Sequence, residues 1–260
     1  MLLLLFINSS RCPRQQLIPA HSILSSPGWQ VRIIRCGRSR RLVSPDHFSV
    51  DGSIIEATDV HDASIGDLVL DGNVDETRDH DGCRAAGVYL LRSHRIGIKG
   101  VEIKNFRGDA ISFQACTDVV VRDCELHHNS GIGIHPGSGS VRYVMAGNQI
   151  HDNGSHGIYY CLRSSHSDCH ANRIEHNGDC GISVGERDSH HLIRDNAIVG
   201  NGRAGIEFRQ FVYRGGNYVR MEGNRIGPNC RTKGDFELAI TAGHHDLYFV
   251  KNHLSPAKGG

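Results

Sequence analysis

GIGIHPGSGS at residues 131–140 and AGIEFR at residues 204–209 bracket a stretch in which one phrase is written four times. Ile134, Ile158, Ile182 and Ile206 each follow a glycine (Gly133, Gly157, Gly181 and Gly205), at successive steps of 24 residues. A second set keeps the same time. Asn148, Asn172 and Asn196 each stand two residues before an isoleucine, and Asn153, Asn177 and Asn201 stand five residues further on. A fixed period in this range is the mark of a solenoid, in which each repeat is one supersecondary unit stacked on the last.

The repeat contains short alternating runs such as GISVG and HLIRD, separated by Asn, Gly, Asp and His. Nothing in it is long or periodic enough for a helix, so the pattern is one of short strands and turns. A turn of 24 residues with three strands and three corners is one rung of a right-handed parallel β-helix. Rungs at the strand spacing of about 4.8 Å place residues of equal phase in columns. Asn129, Asn153, Asn177, Asn201 and Asn229 then form a ladder of stacked amides. The fold class is therefore all-β, a single-stranded parallel β-helix of about seven to nine rungs.

Outside the regular region, residues 1–45 read as a leader or N-terminal cap and 46–260 as the β-helix. The opening MLLLLFI is too short to span a bilayer, which takes about 20 apolar residues, and it lacks the basic flank of a secretion signal. The arginines between Arg32 and Arg41 in an acid-free segment allow a transit peptide or a basic patch as alternatives. Formal charge is +1 with 18 histidines counted as neutral, so no strong field points to nucleic acid or an anionic membrane. The nine cysteines show no regular pairing distance, and Cys124 takes the phase that Asn148 holds one rung later. They read as free thiols within the stack. With no CxxC or CxxH cluster and no converging histidines, no metal or other cofactor is expected. Oligomeric state is left open.

Two insertions, 74–86 and 210–217, interrupt the period, and a third at 227–237 lengthens the last rung, so that Ile206 is followed by Ile240 at a step of 34. Parity sorts the side chains. With each Gly-Ile isoleucine inward, residues one and three later point outward. The first outward column reads Ser112, His135, Tyr159, Ser183, Glu207, Thr241, and the second Gln114, Gly137, Cys161, Gly185, Arg209. The inward positions between them, Phe113, Pro136, Tyr160, Val184 and Phe208, are apolar as the assignment requires. A rigid sheet carrying polar groups, walled by insertions, is the usual construction of a binding cleft.

From about Ile65 to Leu254 the chain resembles the pectin-lyase-like superfamily of right-handed β-helices, which includes polygalacturonases, pectate lyases and alginate epimerases. GSHGI with His156 is similar to a Gly-His-Gly signature of polygalacturonases, and IEFR stands where that family has Arg-Ile-Lys. Where its paired aspartates would stand, this chain has Gly131 and Ile132. Asp109 and Glu207 are four rungs apart, roughly 19 Å at the strand spacing, too far to flank one glycosidic bond. The run GDAISFQ, HPGSGS, GISVGERDS, GIEFR also resembles uncharacterised bacterial β-helix repeat proteins.

The resemblance implies a polysaccharide or glycan partner and an extracellular or periplasmic place. Three functions fit. A uronate lyase or epimerase would use His135 and Tyr159 as acid and base and Arg187 or Arg209 to neutralise a carboxylate. A glycoside hydrolase would use Glu207 with Glu186 or Asp188. A non-catalytic surface or periplasmic module would bind a glycan through the same face. Asp109, Gln114, His156, Glu186 and Asp188 complete the expected contact surface, with Glu207 among the catalytic candidates.

Overall fold

The computed structural model describes residues 53–73, 82–210, 215–232 and 236–256, together with the backbone of the short strands Phe6–Ile7, Ile23–Ser26, Trp29–Ile33 and Arg41–Val43. The expected leader or cap over 1–45 otherwise lies outside the described residues, as do 74–81, 211–214 and 233–235 of the insertions.

Three sheets run the length of the molecule, and each rung supplies one strand to each of them. The first sheet stacks Ile55–Thr58, Val88–Leu91, Ile111–Gln114, Ile134–Gly137, Ile158–Tyr159, Ile182–Val184, Ile206–Phe208 and Leu238–Ile240, all parallel. Among the described residues there is no α-helix, only a 3-10 turn at Cys83–Ala85. This is a parallel β-helix with the periodicity read from the sequence.

The glycine of each Gly-Ile pair is fixed by close approach. A β-carbon on Gly157 would lie 2.4 Å from Ile174 Cγ2 and 2.6 Å from the Gly181 carbonyl oxygen. The isoleucines themselves are fully buried, as are Phe113, Tyr160, Val184 and Phe208. Inward parity thus holds from Ile111 to Phe208, while on the last strand Leu238 is half-buried and Ile240 exposed.

Both asparagine columns are ladders. Asn153 Nδ2 donates to Asn177 Oδ1 at 3.0 Å, Asn177 Nδ2 to Asn201 Oδ1 at 3.0 Å, and Asn201 Nδ2 to Asn229 Oδ1 at 2.9 Å. The second ladder runs Asn148, Asn172, Asn196, Asn224 and Asn252. Cys124 continues it downward, its backbone N–H donating to Asn148 Oδ1 at 3.1 Å. Apart from Asn229, which follows Pro228, each ladder asparagine follows a residue with positive φ, such as His176 before Asn177 and Gly147 before Asn148. That left-handed residue turns the corner, and the amide that follows satisfies the backbone groups the corner leaves exposed.

The register differs from expectation at one end. Ile206 pairs with Leu238, Glu207 with Ala239 and Phe208 with Ile240, so the last outward residue is Ala239 and not Thr241. The insertion adds two residues fewer than the count to Ile240 assumes, and both phases share a parity. All seven described cysteines are free, four of them (Cys116, Cys124, Cys169 and Cys180) buried.

Candidate functional site

On the outward side of the first sheet, side chains from three rungs converge on Tyr159. The His135 ring meets its edge, with centroids 5.4 Å apart and planes at 85°. His156 stacks beside it at 4.9 Å. The Arg209 guanidinium lies over its face, 3.9 Å from the ring centre. The arginine reaches there because Gly185 is bare: its guanidinium fills the space where a Gly185 side chain would stand. Nη1 donates to Ser183 Oγ and Nη2 to the Tyr160 carbonyl, both at 2.7 Å. A cation over a tyrosine face is attracted by the ring quadrupole.

Beneath this cluster Asp109 is fully buried. It accepts the Ile132 N–H at 2.9 Å and faces His135 Nδ1 at 2.8 Å. Burial pulls the His135 pKa down, but the carboxylate and the Cys161 thiol more than offset it, raising the ring to about 9. Asp109, expected among the contact residues, thus orients and charges His135 from a fully buried position. Gln114 is also buried, its amide folded over Gly137 and donating to Ser112 Oγ at 2.9 Å.

The ion pair carries a pH signature. His135 titrates near 6.5 when unfolded and near 9 when folded, so its contribution is complete below about pH 6.5 and is lost as the pH rises through about 9. At 1.36 kcal/mol per unit this amounts to about 3 kcal/mol. The denaturation midpoint is expected to fall between about pH 6.5 and 9.5, and His135→Gln to flatten that fall. A parent midpoint that stays level over the range rules the pair out.

His156 behaves in the opposite way. Its Nδ1 accepts the Cys180 N–H at 3.3 Å, and burial pushes its pKa down to about 4, so the ring is neutral. One of its ring nitrogens, a carboxylate oxygen of Asp179 and Cys180 Sγ lie within 4.8 Å of one another, a convergence the sequence reading did not find. Arg203 already supplies the positive charge there, its Nε donating to Asp179 Oδ1 at 2.6 Å and its two terminal nitrogens gripping both oxygens of Glu207. The Asp179 carboxylate of that set is thus already committed to a guanidinium. Sequence reasoning passed over Arg203, although Asp179 and Arg203 stand one 24-residue period apart with opposite charge.

The carboxylates expected for hydrolysis do not assemble. Glu207 is buried in its clasp with Arg203. Asp188 is buried in the corner, its two oxygens accepting the N–H groups of Ser164 and Gly185, and burial raises its pKa to about 6. Its carboxylate thereby holds the corner. Glu186 and Arg187 face each other at 3.5 Å on the same corner, with Arg187 at positive φ. Of the two arginines expected to meet a carboxylate, Arg209 joins the cluster and Arg187 pairs with Glu186. Of the expected walls, the structure describes Gln210, 215–217, 227–232 and 236–237.

A three-sheet parallel β-helix with a polar cluster on one sheet defines a class of protein built around a rigid elongated face. The match to the family described as right-handed β-helix region, over residues 53–226, places this chain in that family. Among solved structures it is similar to the periplasmic alginate epimerase AlgG, with TM-score 0.57 and 19% identity, covering 74% of this chain and 46% of that one. It is also similar to the A-module of the Azotobacter vinelandii mannuronan C-5 epimerase AlgE6, with TM-score 0.50 and 17% identity, covering 80% and 67%. The pectate lyase Pel9A gives TM-score 0.51 at 12% identity, covering 86% and 68%. The chain thus spans about half the length of the periplasmic epimerase it matches. No curated protein sequence matches it. The similarity to these enzymes is one of fold. Among the described residues no helix is long and apolar enough to cross a membrane.

Proposed function

We propose that the chain acts on an acidic polysaccharide, exchanging the proton at carbon 5 of a uronate as a lyase or epimerase does, in a periplasmic or extracellular setting. The observation that carries this reading is the order of groups around Tyr159, with a guanidinium on its face and an imidazole on its edge. Abstraction of a proton next to a carboxylate needs a cation to take up the charge and two groups to move the proton. Arg209 supplies the cation. His135, kept protonated by Asp109, is the donor, and the Tyr159 hydroxyl is the second proton carrier. The epimerases and the lyase that share the fold support the substrate class.

The test is incubation with polymannuronate and polygalacturonate in D2O, following deuterium at C5 and the absorbance of unsaturated uronate. His135→Ala is expected to lower turnover by about 10²–10⁴, the usual share of general acid–base catalysis. Tyr159→Phe is expected to lower turnover while leaving binding in place. Both variants turning over like the parent would remove the reading.

A second reading, a module that binds glycan without reacting, draws on how thoroughly the face is engaged with itself. Asp109, Ser112 and Ser183 are fully buried and Glu207 nearly so. Binding without deuterium exchange or new absorbance in the same assay selects it.

A further inference from the structure

The reading above gives no task to Cys161, which parity places on the outward face. Its backbone N–H donates to the Pro136 carbonyl at 3.0 Å, which sets it one rung from His135 and two residues along. At the strand spacing of about 4.8 Å and about 3.3 Å per residue, same-face neighbours in that diagonal relation have Cα atoms roughly 8 Å apart, within reach of an imidazole. Both ring nitrogens of His135 bear on the question. Nδ1 is held by Asp109 at 2.8 Å, whereas Nε2 is buried and makes no hydrogen bond. The thiol that the sheet register sets diagonally to the ring is that of Cys161.

The other side of Cys161 is cationic. Gly185, the residue of its column on the next rung, leaves room for the Arg209 guanidinium, which donates to the carbonyl of Tyr160, the residue just before the cysteine. Cys161 is also partly exposed. Burial pushes the thiols of Cys116 and Cys124 up to about 11 and that of Cys169 up to about 12, and it raises that of Cys180 as well. Those four are structural. Cys161 has what a nucleophile requires: a base beside it, a third group that fixes the base, and access from solvent.

We propose that Cys161, His135 and Asp109 form a nucleophilic thiol site that takes an acyl group from an ester, with Arg209 facing the carbonyl oxygen. In the reactive state the sulfur has given up its proton and His135 carries one on each nitrogen. The sulfur attacks the ester carbonyl carbon, the carbon–sulfur bond forms and the ester carbon–oxygen bond breaks. The departing alkoxide takes the Nε2 proton and leaves as the alcohol. Water then attacks the thioester, giving its proton back to Nε2, and the carboxylic acid leaves as the sulfur is restored. No oxidant or added cofactor enters. The step goes beyond proton exchange on a uronate and does not require it.

The probe is p-nitrophenyl acetate with the whole chain, with nitrophenolate release followed by absorbance and the acetylated peptide found by mass spectrometry. A hydroxylamine-labile acetyl group is expected on Cys161, formed at least about tenfold faster than on Cys83 or Cys230, the other partly exposed described thiols. Cys161→Ser is expected to abolish the thioester, and His135→Gln to slow its formation by about 10²-fold or more. Because Asp109 is buried and its replacement risks the fold, the comparison among cysteines in the unaltered chain stands as a test by itself. Equal labelling of Cys161, Cys83 and Cys230, or an unchanged Cys161 rate in a folded His135→Gln protein, overturns the proposal. Deuterium exchange on polyuronate is a separate readout, so either reading can fail without the other.

Discussion

Asn177→Ala is expected to unfold at a markedly lower denaturant concentration than the parent, with the slope of the transition preserved. The side chain removed is engaged on both sides of its rung. Its Oδ1 accepts both the backbone N–H and the Nδ2 of Asn153, and its Nδ2 donates to the Ile150 carbonyl and to Asn201 Oδ1. All of this is buried, so no water replaces what is lost. Leaving a buried polar group unpaired costs about 1–3 kcal/mol, and Asn153 N, Asn153 Nδ2 and Ile150 O each lose a partner. A loss of about 3 kcal/mol or more follows, a large part of the 5–15 kcal/mol typical of a domain. Urea titration followed by circular dichroism measures it. A midpoint equal to that of the parent would mean that the ladder contributes nothing.

Ile158→Asp is expected to prevent folding altogether. Ile158 is fully buried between Ile134 and Ile182 of the neighbouring rungs, and the column continues in apolar side chains. A carboxylate there meets no donor and no cation, and an uncompensated buried charge costs about 3–5 kcal/mol or more. The lost apolar contact adds to that. Since each rung is held by its neighbours, the damage is not confined to one turn. Retention of parental β-sheet ellipticity and melting temperature by this variant would contradict the inward assignment.

Much of this architecture was legible because strict periodicity constrains space directly. Ile134, Ile158, Ile182 and Ile206 stack as their spacing requires, and the glycine before each is explained by the strand that crowds it. The ladders were legible for the same reason. The register of the last rung was not, since an insertion of free length intervenes and Leu238 and Ile240 have the same parity. Parity also put His135, Tyr159, Cys161 and Arg209 on one face. It fails at corners, where a left-handed residue redirects the chain, as at Arg187. Asp188 looks like a surface carboxylate in the sequence, yet it is consumed by two corner amides. Arg203 and Asp179 sit in a corner too, and their pairing decides that Glu207 is held fast.

Each amide of the two ladders meets the next through the same pair of donors, whichever residues lie between them. The rungs are for that reason links of a common gauge. Excising one whole period, residues 178–201, would bring Asn177 beneath Asn229 and Asn172 beneath Asn224, and would set Glu207 opposite Tyr159 and Arg209 opposite Cys161. The outward face would shorten by one link, about 4.8 Å, with no strand turned over. Lengthening by a copied link would move the same groups apart by the same measure. A scaffold of this kind adjusts the distance between two side chains in fixed increments, much as a watch bracelet is sized, while the identity of every remaining residue is kept.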